Sequence, residues 1–382
     1  MNTPNGPKVL DVTLRDGGFQ NDWNFSQQNA IALVSLLHDA GMDYIEIGYR
    51  NKPPIVVPNP GLSSRCDNDY VSAIKKQVPQ ADLSVMYLPK FVALSDIEML
   101  ADLGVSMVRG CVSPTGWEDA LPLVKKGYDL GLISTANITE ITERNIEEVV
   151  DTANRIIDNG CSVIYLADSN GSMTPNTVRD TFEYLKSRLA HQVELGYHNH
   201  NMLNMAMANY IEASHQGISY IDCSLRGMGR ASGNVQSESL FAYKSKTYPK
   251  SRYSVPGIMR AAHYLCSQFA SANPEPKLEN TAMGAYNFVS TLESVIAVAA
   301  NEYNITWLDL INEMYRVKLD RRHITLDTIR AVAHSMCDAR QREKSTVQAA
   351  RTDSEMSYFS EFDIIDSTPA TAEKSREFVR ND

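Results

Sequence analysis

The chain has 382 residues, with 36 Lys plus Arg against 46 Asp plus Glu, a formal net charge of −10. An apolar fraction of 43% and a charged fraction of 21% are ordinary for a globular protein and exclude a collagen-like, mucin-like or wholly disordered chain. The acidic balance, without any Lys/Arg block, argues against a nucleic-acid partner. No apolar run nears the ~18 residues of a membrane helix, so no membrane partner is expected either.

Met1–Pro7 is polar and short, without the pattern of a secretory signal. From there to about residue 250, short β-rich runs alternate with amphipathic stretches. The first strand is expected at Val9–Thr13 and its helix at Gln27–Asp39. Next come Tyr44–Gly48 with Asp69–Gln77, Leu83–Leu88 with Leu94–Asp102, and Met107–Cys111 with Trp117–Asp129. The series continues as Ile133–Asn137 with Glu143–Asp158, Val163–Ala167 with Pro175–Leu189, Val193–Tyr197 with Leu203–His215, and Tyr220–Ser224 with Gln236–Thr247. Gly41, Gly104, Gly131, Gly160 and Gly217 each precede a strand, where a left-handed residue closes the last helical turn.

Eight such units predict an α/β protein, a (β/α)8 TIM barrel over residues 8–250. Continuously apolar strands fit a sheet covered on both faces. The competing doubly wound sheet lacks its glycine fingerprint after the first strand. After Pro256 the pattern is helical throughout, which predicts a C-terminal helical extension over 257–339, with Val289–Ala300 and Trp307–Val317 as its clearest stretches. Residues 341–382, rich in Ser, Thr and charge, read as a flexible tail in which Met356–Ile365 is a candidate docking segment. The six cysteines form no CxxC pair and read as reduced structural residues of a cytoplasmic protein.

Three signals close predicted strands at the C-terminal face, where barrels build active sites. They are Asp11–Gly18 (DVTLRDGG), Tyr197–Asn201 (YHNHN) and Gly227–Asn234 (GMGRASGN). Strands seven, eight and one are neighbours in a closed barrel, so these distant segments converge on one sector of the rim. An HxH pair alone is more often two ordinary histidines. In a strand, however, residues i and i+2 point the same way, so His198 and His200 can face one ion, with Asp16 adding a hard oxygen and Asn234 an amide carbonyl. Such a set suits one divalent metal ion, Mn²⁺ or Mg²⁺, with Co²⁺ or Zn²⁺ as alternatives. His38, His191, His215, His263, His323 and His334 have no such partners and read as surface or packing residues. Arg15 beside the metal would stabilise an enolate oxygen, against the commoner fate of a rim salt bridge. The glycines 227, 229 and 233 permit a tight turn that aims Asn234 inward, a better reading than a phosphate loop.

With these motifs the chain resembles the metal-dependent lyase and aldolase barrel superfamily typified by hydroxymethylglutaryl-CoA lyase, isopropylmalate synthase and 4-hydroxy-2-oxovalerate aldolase. The aldolase branch is most alike, through Ala167–Met173 (ADSNGSM), Asp222–Asn234 and the C-terminal AANEYNITWLDL. The resemblance spans residues 8 to 335. It implies Asp16, His198 and His200 as metal ligands with Asn234 at or near the metal, Arg15 as enolate stabiliser and Ser169 as a contact to the oxoacid. The implied chemistry is carbon–carbon cleavage or formation through a metal-bound enolate, on a small-molecule 2-oxoacid and an aldehyde. The same branch implies a dehydrogenase partner that receives the aldehyde, while a homo-oligomer is an equal expectation.

One departure stands out. The aldolase branch carries its base histidine three residues after the metal aspartate, where this chain has Phe19, and the lyases and synthases carry a Gln that Gln20 would imitate. Proton transfer would then fall to Glu46, Tyr197, Tyr286 or metal-bound water. Asp22–Phe25 (DWNF) is expected to occupy substrate space. A Claisen-type acyl-CoA synthase is the first alternative, although its Gly-x-Gly-Glu-Arg loop is replaced here by Gly227-Met228-Gly229-Arg230. A metal-binding pseudoenzyme is the second.

Overall fold

The structure is a computed structural model that describes residues 6–248, 250–270, 277–319 and 323–342. Eight parallel strands close into a barrel in sequence order: β1 (Lys8–Asp11), β2 (Tyr44–Tyr49), β3 (Leu83–Tyr87), β4 (Met107–Val112), β5 (Ile133–Ile138), β6 (Val163–Asp168), β7 (Glu194–Asn199) and β8 (Tyr220–Cys223). Closure is direct, with Lys8 opposite Tyr220 and Asp11 opposite Cys223. Eight helices follow the strands: α1 (Gln27–Asp39), α2 (Asn68–Gln77), α3 (Leu94–Asp102), α4 (Ala120–Asp129), α5 (Ile146–Ile157), α6 (Pro175–Arg188), α7 (Ala206–His215) and α8 (Ser237–Thr247). Every expected strand and helix of the barrel is present, with ends shifted by a few residues.

Local chemistry explains the boundaries. Ser26, Asn145 and Thr174 accept backbone N–H bonds at the starts of α1, α5 and α6. The five helix-stop glycines all have φ between 77° and 91°. Strand side chains divide between two cores. One face packs on the helices, while Leu10, Val12, Met107, Val163, Tyr165 and Tyr220 form a separate apolar cluster inside the barrel. That apolar plug leaves the upper interior for polar groups.

The predicted domain boundary at residue 257 is corrected. A ninth helix, α9 (Val255–Gln268), packs against α1 and α8, and its Ile258, Ala261 and Leu265 share the core of Val34 and Leu37. Pro256 lies in its first turn, where the missing N–H costs nothing, so it starts a helix of the barrel wall rather than ending the barrel. The extension proper comprises α10 (Leu278–Ala285), α11 (Glu293–Tyr303), α12 (Trp307–Arg316) and α13 (residues 326–342). Its own core of Phe288, Ile296, Leu310, Ile311, Met314 and Ile329 includes Met202 from beyond β7. Asn287 ties it to the barrel rim, accepting from Asn170 and Ser172 and donating to the Thr142 carbonyl. The extension therefore sits on the face that carries the candidate site. The expected tail, with Met356–Ile365, lies outside the described residues apart from 341–342, which end α13. All six cysteines are free, and no described helix is long and apolar enough to cross a membrane.

Candidate metal centre

Asp16 stands in the turn after β1, His198 near the end of β7 and His200 just beyond it, bridged to Asn234. Their candidate ligand atoms all lie within 4.8 Å of one another, and all three residues are buried. The two imidazoles meet at 85° with centroids 5.0 Å apart. His198 Nδ1 donates to Asp222 Oδ2 at 2.9 Å and His200 Nδ1 to the Gly233 carbonyl at 3.2 Å. Those bonds place the protons on Nδ1 and leave both Nε2 lone pairs for an ion, the usual arrangement behind a metal-binding histidine. Burial holds His200 down to about 3, so its imidazole is neutral and ready to ligate. Burial would push Asp16 up, but Arg15 and the two imidazoles outweigh it and hold the carboxyl well below the usual carboxylate range.

A continuous path of buried charge links the two sides of this cluster. Arg15 Nη1 donates to Asp16 Oδ1 and its Nε to Glu46 Oε2, both at 2.6 Å. Arg109, on β4, spans from Glu46 at 3.1 Å to Asp222 at 2.7 Å, and Asp222 holds His198. Glu46, Arg109 and Asp222 lie inside β2, β4 and β8 with fully buried side chains. Removing Arg109 would leave the buried Asp222 carboxylate without its cation. Asp222→Asn is expected to weaken divalent-ion binding roughly 10- to 100-fold, read as Kd by titration calorimetry.

The β8 loop supplies the remaining wall. Asn234 Nδ2 donates to Asp16 Oδ2 at 2.8 Å, and its Oδ1 is buried without a hydrogen-bond partner. Two imidazole nitrogens, a carboxylate and this spare amide oxygen fit a divalent ion. A Cβ on Gly229 would stand 2.3 Å from Asn234 Nδ2 and 2.7 Å from Asp16 Oδ2, so only glycine fits there. Gln20 Nε2 pins the same loop at the Gly229 carbonyl, 2.6 Å away, which gives it a structural job instead of a proton to move.

Other expected residues are placed differently. Tyr197 alternates with His198 and so faces the helix layer, packed on Phe182 with its hydroxyl toward Met173 Sδ. Tyr286 stacks on Tyr315 and donates to Asn312 Oδ1, within the helical extension. Glu46 gives each oxygen to a guanidinium and so orients Arg15 instead of receiving a substrate proton. Ser169 is at the rim, where its Oγ accepts from the Glu140 N–H. Of Asp22–Phe25, Asp22 and Asn24 are exposed while the two aromatic side chains are buried: Trp23 donates to the Arg15 carbonyl, and Phe25 packs on Phe269 in the helix-side core. Phe19 lies on Trp23 at 4.8 Å. Arg109, Asp222, Glu140 and Arg230 were not among the expected site residues. Charged positions inside the apolar runs MVRGCV and YIDC were the available signal for the first two.

A family model described as HMGL-like matches residues 118–263. A relative named oxaloacetate decarboxylase, from Mycobacterium tuberculosis, is 30% identical over 236 residues, 62% of this chain and 69% of that protein. The chain belongs to the HMGL-like family. A second relative of this HMGL-like protein is 4-hydroxy-2-oxovalerate aldolase 2 of Rhodococcus opacus, 28% identical over 83% of this chain and 91% of its own length. Among solved structures, the N-terminal domain of a putative aldolase from Bacteroides vulgatus shares the fold with a TM-score of 0.66 at 24% identity, covering 78% of this chain and 98% of that one.

Proposed function

We propose that this chain is a divalent-metal-dependent carbon–carbon lyase that splits a 4-hydroxy-2-oxoacid into pyruvate and an aldehyde. The observation that carries this reading is the gathering of Asp16, His198 and His200 within 4.8 Å, beside Arg15, at the C-terminal mouth of the barrel. A divalent ion on those ligands, Mn²⁺ or Mg²⁺ before Co²⁺ or Zn²⁺, would supply Lewis acidity toward a 2-oxo group and a substrate hydroxyl. Arg15 keeps Nη2 buried and without a partner, a donor free for the negative charge that develops on the oxo oxygen. Glu46 fixes that guanidinium through Nε, and burial of the pair strengthens every charge interaction made there. Asn234 and the Arg230 N–H hold Asp16 from the opposite side.

Phe19 favours a second reading at the same centre. Cleaving a 4-hydroxy-2-oxoacid requires removal of the hydroxyl proton, which an aromatic hydrocarbon cannot perform. Loss of CO₂ from a 3-carboxylated pyruvate needs no such base, and one relative is named oxaloacetate decarboxylase. Both readings share the pyruvate enolate, so both predict deuterium exchange into the pyruvate methyl group in D₂O, dependent on a divalent ion and abolished by chelation. Pyruvate release from 4-hydroxy-2-oxovalerate and from oxaloacetate then separates them, and thiol release from an acyl-CoA would instead support a Claisen-type synthase. Absence of exchange with every divalent ion would overturn the lyase reading in favour of a metal-binding scaffold.

A further inference from the structure

We propose that Arg230 is the specificity-determining residue of an anion subsite beside the metal centre, so that the preferred substrate is a 2-oxoacid carrying a second carboxylate. The inference rests on the reading above only for where the 2-oxo end sits.

Arg230 enters the mouth from the β8 loop. Its backbone N–H donates to Asp16 Oδ2 at 3.3 Å, which anchors the residue at the edge of the cluster. The side chain then crosses toward β6. Nη2 donates to the Ser169 carbonyl at 3.4 Å, and the guanidinium lies 5.7 Å from the centre of the Phe19 ring. The loop holds this course at a conformational cost, since Arg226 and the neighbouring Ala231 have φ of 57° and 52°.

The guanidinium is under-used. Among the described residues Arg230 makes no ion pair, although Glu140, just beyond β5, and Glu293, at the start of α11, are near enough to interact with its charge. Its Nε is buried without a partner, as is Arg15 Nη2 beside Asp16. Enclosed donors of a permanent cation are costly to leave unsatisfied. Two arginines with spare buried donors, both bonded to Asp16, therefore call for an anionic ligand beyond the group that a single metal and Arg15 would take. A planar carboxylate matches the guanidinium fork. A neutral aldehyde tail would leave the Arg230 donor bare. Phe19 contributes the apolar wall that steadies the guanidinium, which explains an aromatic ring where chemistry would otherwise place a base.

The test compares ligands of equal length, 2-oxoglutarate and 2-oxovalerate, by calorimetry on the full chain loaded with Mn²⁺. Wild type is expected to bind 2-oxoglutarate roughly 10- to 100-fold more tightly, Arg230→Gln to bring the two within about 3-fold, and Arg230→Lys to restore part of the preference. Equal affinities in wild type, or an equal loss for both ligands in Arg230→Gln, would overturn the subsite. Pyruvate deuterium exchange by the wild type is measured alongside. Exchange without the dicarboxylate preference refutes the subsite alone, and preference without exchange refutes the lyase reading alone while the subsite stands.

Discussion

Replacing Arg15 with alanine is expected to lower turnover by roughly 10²- to 10³-fold, the cost of deleting one preorganised donor to a developing oxyanion. The geometry makes this a test of chemistry more than of folding. Two of the three guanidinium nitrogens are committed, Nε to Glu46 and Nη1 to Asp16, and only Nη2 is spare. Glu46 keeps Arg109 as a partner after the substitution, so its carboxylate is not stranded. Divalent-ion affinity, which depends on Asp16 and the imidazoles, should change far less than kcat. Arg15→Lys retains the charge but not the rigid fork, and should recover only part of the rate. Single-turnover kinetics and metal titration on the same preparations check both halves. A rate within a factor of a few of wild type would remove Arg15 from the reaction.

Much of this centre is legible in the sequence because its residues follow from strand parity and barrel closure. His198 and His200 share a face by their spacing, and Asp16 joins them because β8 lies between β7 and β1. The same parity excludes Tyr197, which must face outward if His198 faces inward. What the sequence leaves hidden is set by contacts between distant elements. Nothing local to Tyr286 shows that its hydroxyl meets Asn312, or that Glu46 bridges Arg15 and Arg109. Pro256 illustrates a different limit. A proline can end one element or begin the next, and only the apolar face of α9 against α1 decides between them. Arg230 shows a third. Its loop reads as a glycine turn, yet the function proposed for it depends on how far one side chain reaches across the mouth.

Asp16→Asn and His198→Ala should each abolish tight divalent-ion binding and, with it, activity. Thermal denaturation with and without Mn²⁺ separates loss of the ion from loss of the fold. An ion that binds only the native state at 100 times its Kd stabilises by about 2.7 kcal/mol, so the wild-type Tm should rise on adding metal while both variants stay flat. The metal-free proteins should also differ. Asp16 is ionised far below the ordinary carboxylate range because Arg15 and two imidazoles outweigh its burial, so its charge stabilises the fold above the unfolded pKa of about 3.9 and that stabilisation fades as pH falls through the folded value. Asp16→Asn removes the contribution, leaves Arg15 Nη1 facing a neutral amide, and should lower the metal-free Tm at neutral pH. His198→Ala instead opens a cavity beside Asp222, which keeps Arg109 as its partner. A Mn²⁺-dependent rise in Tm that survived in both variants would place the ion elsewhere on the molecule and detach the barrel mouth from metal chemistry.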